Sequence, residues 1–100
     1  MTVPLVTPDT LVIRKHAAQE MKADNISVAD AITCINDGEV IKPYPADRPY
    51  PSRLILCIVA ERPLHVVAAT DEATGLTYLI TTYVADPNLW EVDFKTRRKP

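Results

Sequence analysis

His65, Thr81 and Tyr83 carry side chains able to move or share a proton, and the spacing of the strands around them puts all three on one surface. An imidazole titrates near neutrality, and a phenol donates a hydrogen bond or stacks on a ring. A second histidine, His16, stands four residues before Glu20 in a helical pattern, close enough for the two to pair. At the far end Lys95, Arg97, Arg98 and Lys99 form a basic tail, and the remainder of the chain carries −6 once those four cations are set aside from the net −2. Such a tail holds phosphate locally or simply keeps a C-terminus soluble, and both readings stay open.

The elements that must position these groups centre on residues 53–83. Three apolar runs, Arg53 to Ala60, Leu64 to Thr70 and Thr77 to Val84, alternate with two sets of turn residues, Glu61-Arg62-Pro63 and Asp71 to Gly75. Strand-length runs rich in β-branched residues and bounded by Pro and Gly predict a β-meander. A three-residue first turn puts Ala60 opposite Leu64, and a second turn over Asp71 to Gly75 puts Thr70 opposite Leu76. On that register Leu56, Ile58, Leu64, Val66, Tyr78 and Ile80 face the core. Ile55, Cys57, Val59 and Val67 share the other side with His65, Thr81 directly across from it and Tyr83 one pleat on. The end near His65 and Tyr83 is expected to be uncovered. A strand histidine opposite a threonine is equally a hydrogen-bonded structural residue, so His65 keeps two readings.

Before the meander, Thr7-Pro8-Asp9 or a later point near Arg14 starts a helix on which Ile13, Ala17 and Met21 share a face. Asp24-Asn25 breaks it. Ser27 with Asp30 is a variant capping box, and Val28, Ala31, Ile32 and Ile35 continue a second helix to Gly38 at its end. Glu39 to Lys42 reads as a short edge strand, and the prolines of 43–51 as a stiff surface loop with some polyproline II character. After Tyr83, Asp86-Pro87 starts a short helix with Trp90, Phe94 and Arg97 at i, i+4 and i+7, in which Trp90 is a core anchor.

One hundred residues, 47% hydrophobic and 24% charged, fit one small soluble α+β domain spanning 1–100. Two N-terminal helices are expected on a four-stranded antiparallel sheet, followed by the short C-terminal helix. No run approaches membrane-spanning length and the first ten residues lack a signal-peptide pattern, so a cytoplasmic protein with no membrane partner is expected. Cys34 and Cys57 lack C-x-x-C spacing and lie in apolar segments, which predicts free, buried thiols rather than a disulfide or a metal site. Two glycines outside any phosphate-cradling loop, and no serine in a nucleophile elbow, leave most enzyme classes without support. No cofactor is expected.

His16-Ala17 opening a helix that ends in Met21, Ile26, Gly38-Glu39-Val40-Ile41, Tyr44-Pro45 to Tyr50-Pro51-Ser52, Arg62-Pro63-Leu64-His65-Val66-Val67, Thr81-Thr82-Tyr83, Asp86-Pro87, Trp90 and Arg97 follow one another in order. This set resembles the bacterial domain-of-unknown-function family 4258, over residues 11–98. The resemblance implies a RelE/barnase-like fold and a small toxin of a toxin–antitoxin module, a metal-independent endoribonuclease acting on RNA, including ribosome-bound mRNA. Its implied partner is a cognate antitoxin of zinc-finger helix-turn-helix type. The family usually has Arg where this chain has Glu20.

Such cleavage needs a base for the 2′-OH, an acid for the 5′-oxygen and a cation for the phosphorane. His65, Tyr83 and His16 are the catalytic candidates; Arg53, Arg62, Arg97 and Thr81 are candidates for holding substrate phosphate. The alternative from another class is a non-catalytic protein-binding module of the same fold, docking its partner through the Tyr/Pro loop and the meander edge.

Overall fold

The computed structural model describes residues 5–99. Its first element is a strand, β1 (Leu11–Ile13), followed by helices α1 (Lys15–Asp24) and α2 (Val28–Asp37). Four strands complete the order: β2 (Glu39–Tyr44), β3 (Ser52–Val59), β4 (Arg62–Asp71) and β5 (Leu76–Val84). The α+β class holds, but the sheet has five strands in the order β1-β5-β4-β3-β2, and β1 runs parallel to β5. The expected all-antiparallel, four-stranded sheet is therefore corrected. Leu11-Val12-Ile13 is too short to show alternation, yet two of its three residues are β-branched and fit a pleated surface.

Helix α1 starts at the later of the two expected points, with Arg14 as its N-cap. Thr7-Pro8-Asp9 forms a turn instead, closed by Thr10 N donating to Thr7 O at 3.1 Å. Asn25 ends α1 in the left-handed region at φ 54, a conformation Asn tolerates better than most residues. Ser27 caps α2 as its sequence suggests, its Oγ accepting from Asp30 N at 3.0 Å.

Gly38 follows α2 for a different reason from the one expected. Its φ is −74, so no left-handed turn requires it. A Cβ there would lie 2.4 Å from Cys34 O and 2.5 Å from Ile55 Cγ2, so glycine lets the end of α2 press against β3.

The first turn of the meander has two residues, not three: Val59 pairs with Arg62, and Ala60 and Glu61 both take positive φ, at 50 and 65. Two successive positive φ values give a hairpin turn whose twist matches that of the strands. Cys57 thus faces Leu64, and β3 presents the opposite set of side chains from the one expected. Ile55, Leu64, Val66, Ala68 and Leu79 form the core with Ala17 and Met21 of α1 and Ala31, Cys34 and Ile35 of α2. Ile58 is 61% exposed, Leu56 lies on the other face, and Tyr78 and Ile80 are only half-buried. Cys34 and Cys57 are both free, Cys34 buried and Cys57 half-buried.

The second turn places Thr70 opposite Thr77, one residue from expectation, and a bulge between Val67 and Ala68 adds a second shift. Together they bring His65 opposite Tyr83 rather than Thr81. The two single slips cancel in parity, so His65 and Tyr83 still share a side.

No C-terminal helix forms among the described residues. Asp86 Oδ1 accepts from Asn88 N, Asp93 Oδ1 accepts from Lys95 N and Thr96 N, and Trp90 bridges to Arg97 in antiparallel fashion. Aspartates that bond nearby amides compete with helical pairing, and here they make turns. The result is a strap that lays Trp90 and Phe94 on the sheet face opposite the helices, against Leu54, Val67 and Ala85. Trp90 is an anchor, as expected, but of this second small core. No helix among the described residues is long and apolar enough to cross a membrane.

Candidate functional site

His65 sits in mid-β4 between Leu56 on β3 and Tyr83 on β5. The strap covers it, and its relative exposure is 0%. The expected uncovered end is thus corrected: Trp90 lies edge-on to the imidazole at 4.4 Å between ring centroids. His65 Nε2 is 2.7 Å from Phe94 O, which can only accept, so Nε2 carries the proton. Nδ1 is then an acceptor, and Tyr83 OH donates to it at 3.2 Å. Burial pushes the imidazole below its ordinary value, and the Phe94 carbonyl partly opposes that shift. His65 is a neutral imidazole with both nitrogens engaged.

Tyr83 is half-buried. Burial first, then the neighbouring Tyr44 and the Glu20 carboxylate, raise its phenol above the usual value, while Arg97 pulls it back. Arg97 is exposed, its guanidinium 5.4 Å from the centre of the Trp90 ring. Glu20 and Arg97 thus act on the Tyr83 phenol in opposite directions.

Thr81 and His16 meet through Glu20. Helix α1 runs along the edge of β5 beyond β1, where the strand's amides would otherwise lack partners. Glu20 Oε1 accepts from Thr82 N at 3.2 Å and from the Thr81 hydroxyl; Asp24 Oδ2 accepts from Val84 N at 2.9 Å. Carboxylates one helical turn apart, about 6 Å, match amides two strand residues apart, about 6.6 Å. His16 Nε2 lies 3.2 Å from the same Glu20 oxygen, and the His16 side chain is 71% exposed. The Glu20 carboxylate therefore stands beside one ring nitrogen of an otherwise exposed imidazole.

The remaining arginines are dispersed. Arg62 closes the end of α1, donating to Asp24 O at 2.9 Å and Asn25 O at 3.1 Å with Asp30 3.5 Å away. Arg53 donates to Thr70 Oγ1 at 3.1 Å, and burial lowers its pKa. Neither stands with His65 or Tyr83 in hydrogen-bond contact, so of the four phosphate candidates only Arg97 and Thr81 border the tyrosine. The basic tail is partly tied down, Lys95 to Glu39 at 2.9 Å and Arg98 to Glu91 at 3.4 Å. No group of three or more metal-ligating side chains occurs among the described residues.

Sequence reasoning missed the edge-capping role of Glu20 and Asp24, although their i, i+4 spacing was a signal. It also missed a second cluster on the open part of the sheet face. Tyr50 stacks on Tyr78 with centroids 5.5 Å apart and planes 13° apart, and the Arg14 guanidinium lies 4.7 Å from the Tyr78 ring centre. No local pattern brings the loop carrying Tyr50 over β5.

A family described as a domain of unknown function (DUF4258) matches residues 13–84. No curated protein and no solved structure matches the chain.

Proposed function

The chain belongs to the DUF4258 family, and from that footing we propose that it is the toxin of a toxin–antitoxin module and cleaves RNA without a metal ion, with His16 rather than His65 as its base. The observation that carries this reading is the exposed His16 imidazole held by Glu20, beside Thr81 and the Tyr83–Arg97 end of β5. A solvent-facing imidazole beside a carboxylate is a suitable general base. His16 takes the 2′-OH proton, the 2′-oxygen attacks phosphorus, and the 5′-oxygen leaves with a proton from solvent water as its bond to phosphorus breaks. The products are a 2′,3′-cyclic phosphate and a 5′-hydroxyl. Arg97 offsets charge on the phosphorane, and Tyr83, whose hydroxyl proton is held by His65, stands as a stacking surface. The RNA is free or ribosome-bound mRNA, and the protein partner is the cognate antitoxin.

A specific observation favours a second reading: His65, the residue best placed on the sheet, has no free nitrogen and no exposure. A non-catalytic binding module needs neither. The test is cleavage of end-labelled RNA by the purified protein in excess chelator, with and without ribosomes. Products ending in a 2′,3′-cyclic phosphate support the nuclease; intact RNA under both conditions, with an antitoxin still bound, supports the binding module.

A further inference from the structure

The sheet face turned away from the helices is covered by the strap at one end only. At the other end lies a cavity of about 200 Å³ lined by Arg14, Arg48, Tyr50, Tyr78 and Ile80, with Ala69 among its walls. Tyr78 and Ile80, two residues apart on β5, reach it from the same face. The loop that follows β2 brings Tyr50 onto Tyr78, and the N-cap of α1 brings Arg14 over the same ring. Among the described residues neither Arg14 nor Arg48 forms an ion pair. Two guanidinium groups without carboxylate partners beside two stacked phenol rings match an anion attached to a flat ring. The volume is below the roughly 300 to 1,000 Å³ of sites that enclose drug-sized ligands, and suits a single base.

We propose that this cavity is a nucleotide subsite for single-stranded RNA, with one base stacked against Tyr50 and the adjoining phosphate held by Arg14 and Arg48. Sequence-tolerant binding of single strands combines cationic and aromatic groups in this way. The choice of RNA rests on the function proposed above; the subsite itself rests on the cavity. Arg14 stands two residues before His16, so a strand seated here runs toward the exposed imidazole at the start of α1. Asp71 raises the Tyr50 phenol above its usual value.

The experiment is fluorescence anisotropy with a labelled, 2′-O-methylated single-stranded oligonucleotide, which cannot be cleaved by its own 2′-oxygen. Tyr50→Ala should weaken binding roughly 5- to 150-fold, the range for loss of one base–aromatic stack. Tyr50→Leu keeps an apolar contact with Tyr78 and should weaken binding too, which separates stacking from folding. The double variant Arg14→Gln, Arg48→Gln should flatten the slope of log K against log salt by roughly 0.7, the share of one phosphate. If all three variants bind as the unaltered protein does while it still cleaves RNA, the subsite is overturned and the nuclease reading stands. If the variants lose binding although no RNA is cleaved, the subsite stands and the nuclease reading falls. No binding of the oligonucleotide by the unaltered protein overturns the subsite.

Discussion

Glu20 accepts the backbone amide of Thr82 at 3.2 Å, and through this contact helix α1 closes an edge of β5 that strand β1 is too short to cover. A carboxylate at this position is thus a structural partner of the sheet as well as the holder of His16. An arginine at this position would have no acceptor to offer that amide.

Glu20→Ala should therefore destabilise the fold by about 1 to 3 kcal/mol, the cost of leaving a largely buried donor unpaired. Glu20→Arg should cost at least as much. Denaturant unfolding measures both, and a loss under about 0.5 kcal/mol for Glu20→Ala would remove the edge-capping role.

Gly38→Ala should be severe. Its Cβ would meet two backbone oxygens, Cys34 O at 2.4 Å and Leu56 O at 2.9 Å, neither of which can swing aside as a flexible side chain can. A loss of roughly 3 kcal/mol or more is expected from the forced separation of α2 and β3. A variant as stable as the parent would contradict the close approach.

Burial holds His65 below the ordinary imidazole value, so the unfolded chain takes up a proton near pH 6.5, before the folded one does. The stability this contributes is complete above about pH 6.5 and is lost as pH falls toward the folded pKa. Thermal midpoints should accordingly fall between about pH 7 and pH 5, and more steeply for the parent than for His65→Gln, which cannot titrate. Parallel curves for the two proteins would show that His65 is not buried in neutral form.

His65→Ala should itself cost about 2 to 4 kcal/mol, because it opens a cavity under Trp90 and strands the Tyr83 hydroxyl. Its thermal midpoint should drop, whereas a solvent-facing histidine would leave it unchanged. An unaltered midpoint would contradict the strap's placement.

The capped helix α2, the three meander strands and the edge strand β2 were legible because capping residues and period-2 runs act locally. The turn at Ala60-Glu61 was not, since it uses positive φ at two residues that are neither Gly nor Asn, and one misjudged turn reverses a strand's faces. The bulge at Ile80 restored His65 and Tyr83 to one side by a second shift that no local pattern announces. Of the candidate site, the His16–Glu20 pair was readable from helical spacing. The burial of His65 was not, because it depends on aspartate turns folding Trp90 and Phe94 back across the sheet.

The central claim is that His16, not His65, does acid–base work on RNA. Its most direct test is the rate of RNA cleavage in excess chelator by His16→Ala beside the unaltered protein, at matched folded fraction. A loss of roughly 10²- to 10⁴-fold, with the thermal midpoint nearly unchanged, is the predicted result for an exposed general base. Cleavage by His16→Ala at the parent's rate would contradict the claim.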